Sequence, residues 1–421
     1  VKTESIVYLN RGEDPPLHFI DVEPGQWVVL KPNFVKESKE NDPDEWQSVI
    51  TSPGLIRKVA EHVCRLLKNT GRLTICDAPQ TDSSFRKIAE KTGLFAMADE
   101  LTRQYGTRVE VLDLRNEEWT NSGGIITDRK KLEGDPNGSI RFNLGAQSLF
   151  LNHPGQGKFY GADYDFKVTN AHHHGSTQEY LLCATPVLAD VFIGLPKLKT
   201  HKKTGVSLSL KNLVGINADK NWLPHHVFGS PSKGGDEYPD TSLKRKLETW
   251  GSKLFKSIIV KIPGIGMALA GHLRNRAQEV FGNGQQTIRS GNWYGNNTTW
   301  RMTLDLNRCL LYGNPDGTLR NHLKKKYYTI IDGEIGMEGA GPMQGDRKEC
   351  GVYIGSCDPV AADAVAATIM GFDWKKIPVI RESFYLKELE ITSTTPEMIR
   401  IISNVDVWQG TLENLQLQKH F

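Results

Sequence analysis

The sequence predicts an α/β fold: a largely parallel sheet flanked by helices, carrying an irregular excursion and a helical insertion. Three observations lead there. Six short runs are continuously apolar, as strands buried on both faces are: "WVVLK" (27–31), "RLTICD" (72–77), "VEVLDL" (109–114), "VFIGL" (191–195), "YYTIID" (327–332) and "VYIGS" (352–356). Well-signalled helices fall between several of them, and such alternation implies crossover connections. Finally, at 421 residues with 38% apolar and 24% charged side chains, the chain can bury a substantial core.

The helices have readable ends. Ser52 can cap a helix whose first position is Pro53; it continues through Ile56, Val59, Ala60, Val63 and Leu67, with Gly71 just beyond. Asp358 before Pro359 repeats the device, and that helix stops at Gly371. Another starts near Asp82 and stops at Gly93. Regularity fails twice. Residues 116–175, rich in Gly, Asn and Asp, read as an irregular excursion or small β-subdomain. Residues 236–326 read as a mostly helical insertion against the sheet, which leaves 1–235 and 327–421 as the α/β core.

Composition narrows the function. A net charge of +3 is too balanced for a nucleic-acid coat, and the lysines are not interleaved with aromatics over a broad surface. No run of 18 apolar residues exists, so no transmembrane helix is expected; the stretch from Ile258 to Leu273 reads as buried or facing a second copy in a homo-oligomer, with an interfacial segment as the alternative. Six scattered cysteines form no CxxC pair, hence no zinc ribbon or cluster motif, and point to a reducing cytoplasm. A chain starting at Val1 leaves a removed leader open. There is no P-loop, no GxGxxG after the first strand, no HExxH and no GxSxG.

In parallel α/β sheets, ligands sit outside the carboxyl ends of the strands. Here those ends carry Lys31 and Asn33, then Asp77, then the run Lys197, Lys199, Thr200, His201, Lys202 and Lys203, then Asp332 with Glu334, and lastly Asp358. One polar strand end is ordinary; five imply a shared crevice. Thr204-Gly205 is expected to open a helix with Val206, Leu210, Leu213 and Val214 on one side, its free N–H groups facing what Lys199, His201 and Lys203 face. Lys197, Lys199, Thr200, Lys203, Thr204, Lys211 and Asn212, with Lys31 and Asn33 as a second contact, then form the expected wall for a phosphate or carboxylate.

His201, Asp332 and Glu334 are the candidate catalytic groups, the two acids lying in "DGEIGMEGAGPMQG", whose glycines predict a tight loop. His225 and His226, with Asp219 and Asp236 nearby, are candidate divalent-metal ligands, although their spacing matches no established motif. The "HHH" at 172–174 reads as a surface or hydrogen-bonding loop. Asp363, inside the apolar "VAADAVAATIM", must be paired or hydrogen-bonded, and a lysine of the basic cluster or Lys31 is the expected partner.

"VVLKPNFV", "TSPGLIRKVAEHV", "GLPKLKTHKKTGVSLSLKNLVG", "IIDGEIGMEGAGPMQG" and "GSCDPVAADAVAATIMGFD" resemble successive blocks of the domain-of-unknown-function 362 family, in that family's order, from Val28 to Phe372. The resemblance implies little about activity. Some members append a ferredoxin-like iron–sulfur segment; this chain has no such cysteine run. The blocks are also weakly similar to the two-lobed lactate-racemase superfamily, which implies a cleft and nothing finer. The expectation is an enzyme of isomerase or lyase type moving a proton on a small anionic, sugar-like or hydroxy-acid compound, metal-assisted or not. The alternatives are a non-catalytic metabolite or cofactor binder, and a redox protein served by an external iron–sulfur partner.

Overall fold

The computed structural model describes residues 2–416 except 13, 38–43, 123–124, 164, 241–289 and 324. Most of the expected helical insertion, including the apolar stretch from Ile258 to Leu273, therefore lies outside the described residues.

An eleven-stranded sheet organises the described residues. Its strands are β1 (Ser5–Arg11), β2 (Trp27–Pro32), β3 (Arg72–Asp77), β4 (Arg108–Asp113), β5 (Val191–Leu195), β6 (Lys197–His201), β7 (Gly205–Ser207), β8 (Lys326–Ala340), β9 (Gln344–Ser356), β10 (Ile399–Ser403) and β11 (Gly410–Thr411). The order is β11-β10-β1-β9-β8-β5-β2-β3-β4, with β6 beside the far half of β8 and β7 beside β6. The strands β8, β5, β2, β3 and β4 run parallel, whereas β9 is antiparallel to both β8 and β1. The expected α/β sheet is thus present, parallel through its centre and mixed towards one edge. All six expected apolar runs lie in it.

Alternate residues of the central strands enter two different cores, as a pleat requires. Val28, Leu30, Leu73, Ile75, Val191 and Ile193 face one, with α1 (Pro53–Leu67) and α2 (Leu94–Tyr105) packed on it. Val29, Cys76, Phe192 and Ile331 face the other, against α4 (Thr299–Tyr312) and α5 (Pro359–Ile369). Between these two pairs in the chain comes α3 (Ser209–Asn212), four residues long. No helix among the described residues is long and apolar enough to cross a membrane.

Helix ends follow the sequence in part. Asp358 caps α5 by accepting from the N–H groups of Val360 (2.9 Å) and Ala361 (3.1 Å). Ser52 makes no side-chain cap; its own N–H is held by Asp332 Oδ2 at 2.7 Å. The helix expected to end at Gly93 spans Phe85–Lys91, and Gly93, with φ near 67°, immediately starts α2. In the irregular excursion, a hairpin pairs Glu117–Ser122 with Ile125–Lys131, and Ser139–Asn143 joins Thr177–Cys183.

The expected tight loop at 332–345 is a correction: these residues belong to a long β8–β9 hairpin. Its glycines serve close approach rather than looping. A Cβ at Gly341 would stand 2.0 Å from the carbonyl oxygen of Thr200, and one at Gly336 2.9 Å from that of Leu198. Removing the side chain lets β6 lie directly on the hairpin.

Candidate functional site: a basic cleft at the strand ends

The chain winds β2, β3 and β4 in one direction from β2, then returns to place β5 and β8 on its other side. Strand order reverses between β2 and β5, and a crevice opens where neighbouring connections diverge there. A cleft of about 490 Å³ occupies that position. Lys31, Asn33 and Asp77 come to it from β2 and β3; His201, Lys203, Ser207, Lys211 and Asn212 come from the β6–α3 segment. Lys220, His225, His226, Thr81, Asp82, Trp119 and Asp163 also line it.

Its floor is an ion pair. Lys31 Nζ lies 2.6 Å from Asp77 Oδ1, both side chains nearly sealed from solvent. The ammonium also donates to Asn212 Oδ1 (2.9 Å) and to the Pro32 carbonyl (2.8 Å), while Asp77 Oδ2 accepts from the N–H of Phe34 (2.8 Å). Gly215 presses its backbone on the pair: a Cβ there would fall 2.2 Å from Asp77 Oδ1 and 2.4 Å from Lys31 Nζ. Lys31 is thus neutralised within the protein.

The other cations are held differently. Lys203 donates to the carbonyl of Ser290, and Lys220 to those of Val214 (2.9 Å) and Asn217 (3.2 Å). For Lys220, carbonyl oxygens orient the ammonium without cancelling its charge. Lys211 makes no side-chain hydrogen bond or ion pair among the described residues. Desolvation, helped by the charges of Lys203, Lys220 and Lys31, lowers its pKa to about 7. Burial likewise brings Lys220 down to about 8 and pushes the Asp163 carboxyl up to about 7. Three groups lining one cleft therefore titrate near neutrality, where proton transfer is easiest.

Two imidazoles share this field. For both His201 and His225, burial and then the charge of Lys211 hold the pKa well below the ordinary histidine value, so both rings are neutral at pH 7. His201 Nδ1 accepts from the Lys203 N–H (3.1 Å), and His225 Nδ1 faces the Leu223 carbonyl (2.9 Å).

Several expected site residues lie elsewhere. Asp332 pairs with Lys197 at 2.9 Å, with both side chains sealed away from the cleft lining. Glu334 is exposed and accepts from the Tyr353 hydroxyl at 3.0 Å. Lys199, fully buried, donates to the Val49 carbonyl (2.8 Å); burial, with the nearby lysines, holds its pKa well below the usual lysine range. Thr200 bonds the Gly339 carbonyl (3.0 Å) and Thr204 that of Val206 (2.9 Å). None of these six lines the cleft.

The expected helix start is also corrected. Gly205–Ser207 is strand, paired back on β6, and α3 begins only at Ser209. The N–H groups of Ser209 and Leu210 are taken by Asp363, Oδ1 at 2.8 Å and Oδ2 at 3.0 Å. That carboxyl, expected to pair with a lysine, instead accepts both N–H groups of this helix start. No external anion is needed there.

The expected metal ligands do not converge. Asp236 accepts from Val227 N–H (2.6 Å), Asn297 N–H (2.9 Å) and the Thr298 hydroxyl (2.6 Å), which fixes a loop. Asp219 caps the turn at Lys220–Trp222 through the Asn221 N–H (2.9 Å). Among the described residues no group of three His, Cys, Asp or Glu is placed to hold a metal. His172 pairs with Glu179 at 2.8 Å, His173 is buried against the Trp222 carbonyl, and neither lines the cleft.

Sequence reasoning missed Lys220, Asp163 and Trp119. Lys220 opens the short turn Lys220–Trp222, and the other two come from the excursion at 116–175, where no periodicity marks them.

No curated protein matches this chain. A crystal structure of a protein from Thermotoga maritima, solved as a structural-genomics target, aligns at 10% identity with a TM-score of 0.32. The alignment covers 84% of this chain and 56% of that one, so this chain spans little more than half of its length. Residues 28–125 and 121–368 match the family described as Domain of unknown function (DUF362), and on that match the chain belongs to this family.

Proposed function

We propose that the cleft binds a small anionic molecule, phosphorylated or carboxylated, and that the protein is an enzyme moving a proton on it. The observation that carries the reading is Lys211: a half-buried cation facing the cleft among three other lysines, with no carboxylate of the described residues to neutralise it. Such a charge is expensive unless an anion joins it. The proton-transfer part rests on Lys211, Lys220 and Asp163, whose burial brings them near neutrality beside one another.

Asp332 and Glu334 no longer contribute to this reading, since neither lines the cleft. Their placement favours the alternative of a binder without catalysis, because the two carboxylates expected to move a proton do not line the cleft. One experiment separates them. Phosphorylated and carboxylated hydroxy compounds are incubated with the protein in deuterated water and followed by mass spectrometry, with sulfate affinity measured in parallel by calorimetry. Enzyme-dependent deuterium incorporation supports the catalytic reading. Sulfate binding that needs Lys211, without incorporation, leaves a binder. Sulfate affinity unchanged by Lys211→Met refutes the anion site itself.

A further inference from the structure

His201 and His225 enter the cleft from different elements, His201 from the end of β6 and His225 from the strand Pro224–Val227. Their hydrogen bonds fix which nitrogen of each carries the proton. A backbone N–H can only donate, so His201 Nδ1, 3.1 Å from the Lys203 N–H, must be the bare nitrogen. A neutral ring then keeps its proton on Nε2. A carbonyl can only accept, so His225 Nδ1, 2.9 Å from the Leu223 oxygen, must carry the proton. Its Nε2 is therefore a lone pair.

Both remaining Nε2 atoms lack a hydrogen-bond partner among the described residues. His225 lies close enough to His201 to act on it electrostatically, and Lys211 exerts the largest charge effect on both rings; Lys203 acts on both as well, Lys199 on His201 and Lys220 on His225. Burial first, and then these cations, keep both rings neutral, which preserves the opposite tautomers.

From this geometry we infer that His201 and His225 are a matched donor and acceptor that recognise a hydroxyl group next to the anionic group held by Lys211. The inference rests on the anion reading of the same cleft and narrows it to hydroxy acids and their phosphorylated counterparts. A hydroxyl can accept from His201 Nε2–H and donate to His225 Nε2 at once. A carbonyl or ether oxygen can satisfy only His201 and sets its lone pairs against those of His225. His201, whose Nδ1 is occupied and whose Nε2 is protonated, serves as the donor in this arrangement, and His225, whose Nε2 is bare, as the acceptor.

The test uses the whole protein and two readouts. Long-range proton–nitrogen spectra of protein labelled at the histidine ring nitrogens, assigned with His201→Gln and His225→Gln, report the tautomers at pH 7 without any ligand. His201 protonated at Nε2 and His225 at Nδ1 is the expected result; the same tautomer in both rings, or a doubly protonated ring, overturns the inference. Titrations with glycolate, methoxyacetate and acetate then test recognition. Glycolate is expected to bind about tenfold more tightly than the other two, the effect of one buried lone pair left unpaired. Equal affinity for all three, still lost in Lys211→Met, overturns the histidine pair and leaves the anion site standing. Failure of all three acids to bind overturns both.

Discussion

Lys31 and Lys197 stand at the carboxyl side of neighbouring strands, and each buries an ion pair: Lys31 with Asp77 at 2.6 Å and Lys197 with Asp332 at 2.9 Å. The first pair floors the cleft, with Asn212 as a third partner. The second joins the adjacent strands β6 and β8 and is sealed from solvent, and Asp332 also ties down the start of α1 through the Ser52 N–H. The chemistry is the same and the burial nearly so. What differs is the neighbourhood: beside Lys31 lie Lys220, held by carbonyls, and Lys211, which no described carboxylate neutralises, whereas Lys197 and Asp332 complete each other. A strand-end lysine is thus informative only with its partner known.

The largest effect that would test this contrast is on stability. Asp332→Ala leaves Lys197 buried without its acid and should cost about 3–5 kcal/mol in denaturant unfolding. It should leave sulfate affinity of the folded protein unchanged. Asp77→Ala should cost a similar amount but tighten sulfate binding, because Lys31 is then free to meet the anion. Should both variants shift sulfate affinity alike, the division between structural and cleft pairs fails.

Gly215→Ala probes the floor alone. Its Cβ would overlap Asp77 Oδ1 and Lys31 Nζ, and forcing them apart should cost about 1–3 kcal/mol. A variant as stable as wild type would mean that the backbone does not press on the pair. Lys211→Met removes a cation that no described group neutralises, so its melting temperature should equal or exceed that of wild type at pH 6. Sulfate affinity should fall at least about tenfold, the loss of a charge-assisted bond. A marked loss of stability would instead make Lys211 a structural cation.

The smallest effect concerns pH. The pKa of Lys211 is about 7 in the fold, below the ordinary lysine value of 10.5. The unfolded chain therefore binds more protons between those two values, and this group's contribution to stability rises with pH across that window. Anion binding needs the charged form and should weaken as pH rises through 7, approaching about tenfold per unit well above it. Sulfate, whose charge is constant over this range, is the suitable probe in calorimetry from pH 6 to 9. A flat profile in wild type would remove Lys211 from the site.

Much of the sheet was legible because buried parallel strands are apolar on both faces, and such runs stand out without any partner in view. The cap at Asp358 was legible for a similar reason: Asp before Pro at a helix start is a local device. Ser52 obeyed the same local rule, yet its N–H went to Asp332, 280 positions away in the chain. The glycine-rich hairpin was misread as a loop, because the reason for its glycines lies in the β6 backbone that presses against it. Lys31, Asn33, His201, Lys203, Lys211 and Asn212 were read as cleft residues and do line it. Lys197, Lys199, Thr200 and Thr204, from the same stretch, do not.

The sequence alone determined the α/β class, six apolar strand segments and several helix ends, since these depend on periodicity and on groups within a few residues. It also determined that basic residues gather after β5. Only the tertiary structure decided which of those residues face a ligand: Asp77, Asp332 and Asp363 each come from a distant part of the chain and claim Lys31, Lys197 and the start of α3 respectively. A charge is free or spent according to what folds against it, and that pairing is carried by contacts across the sheet rather than by spacing along the chain.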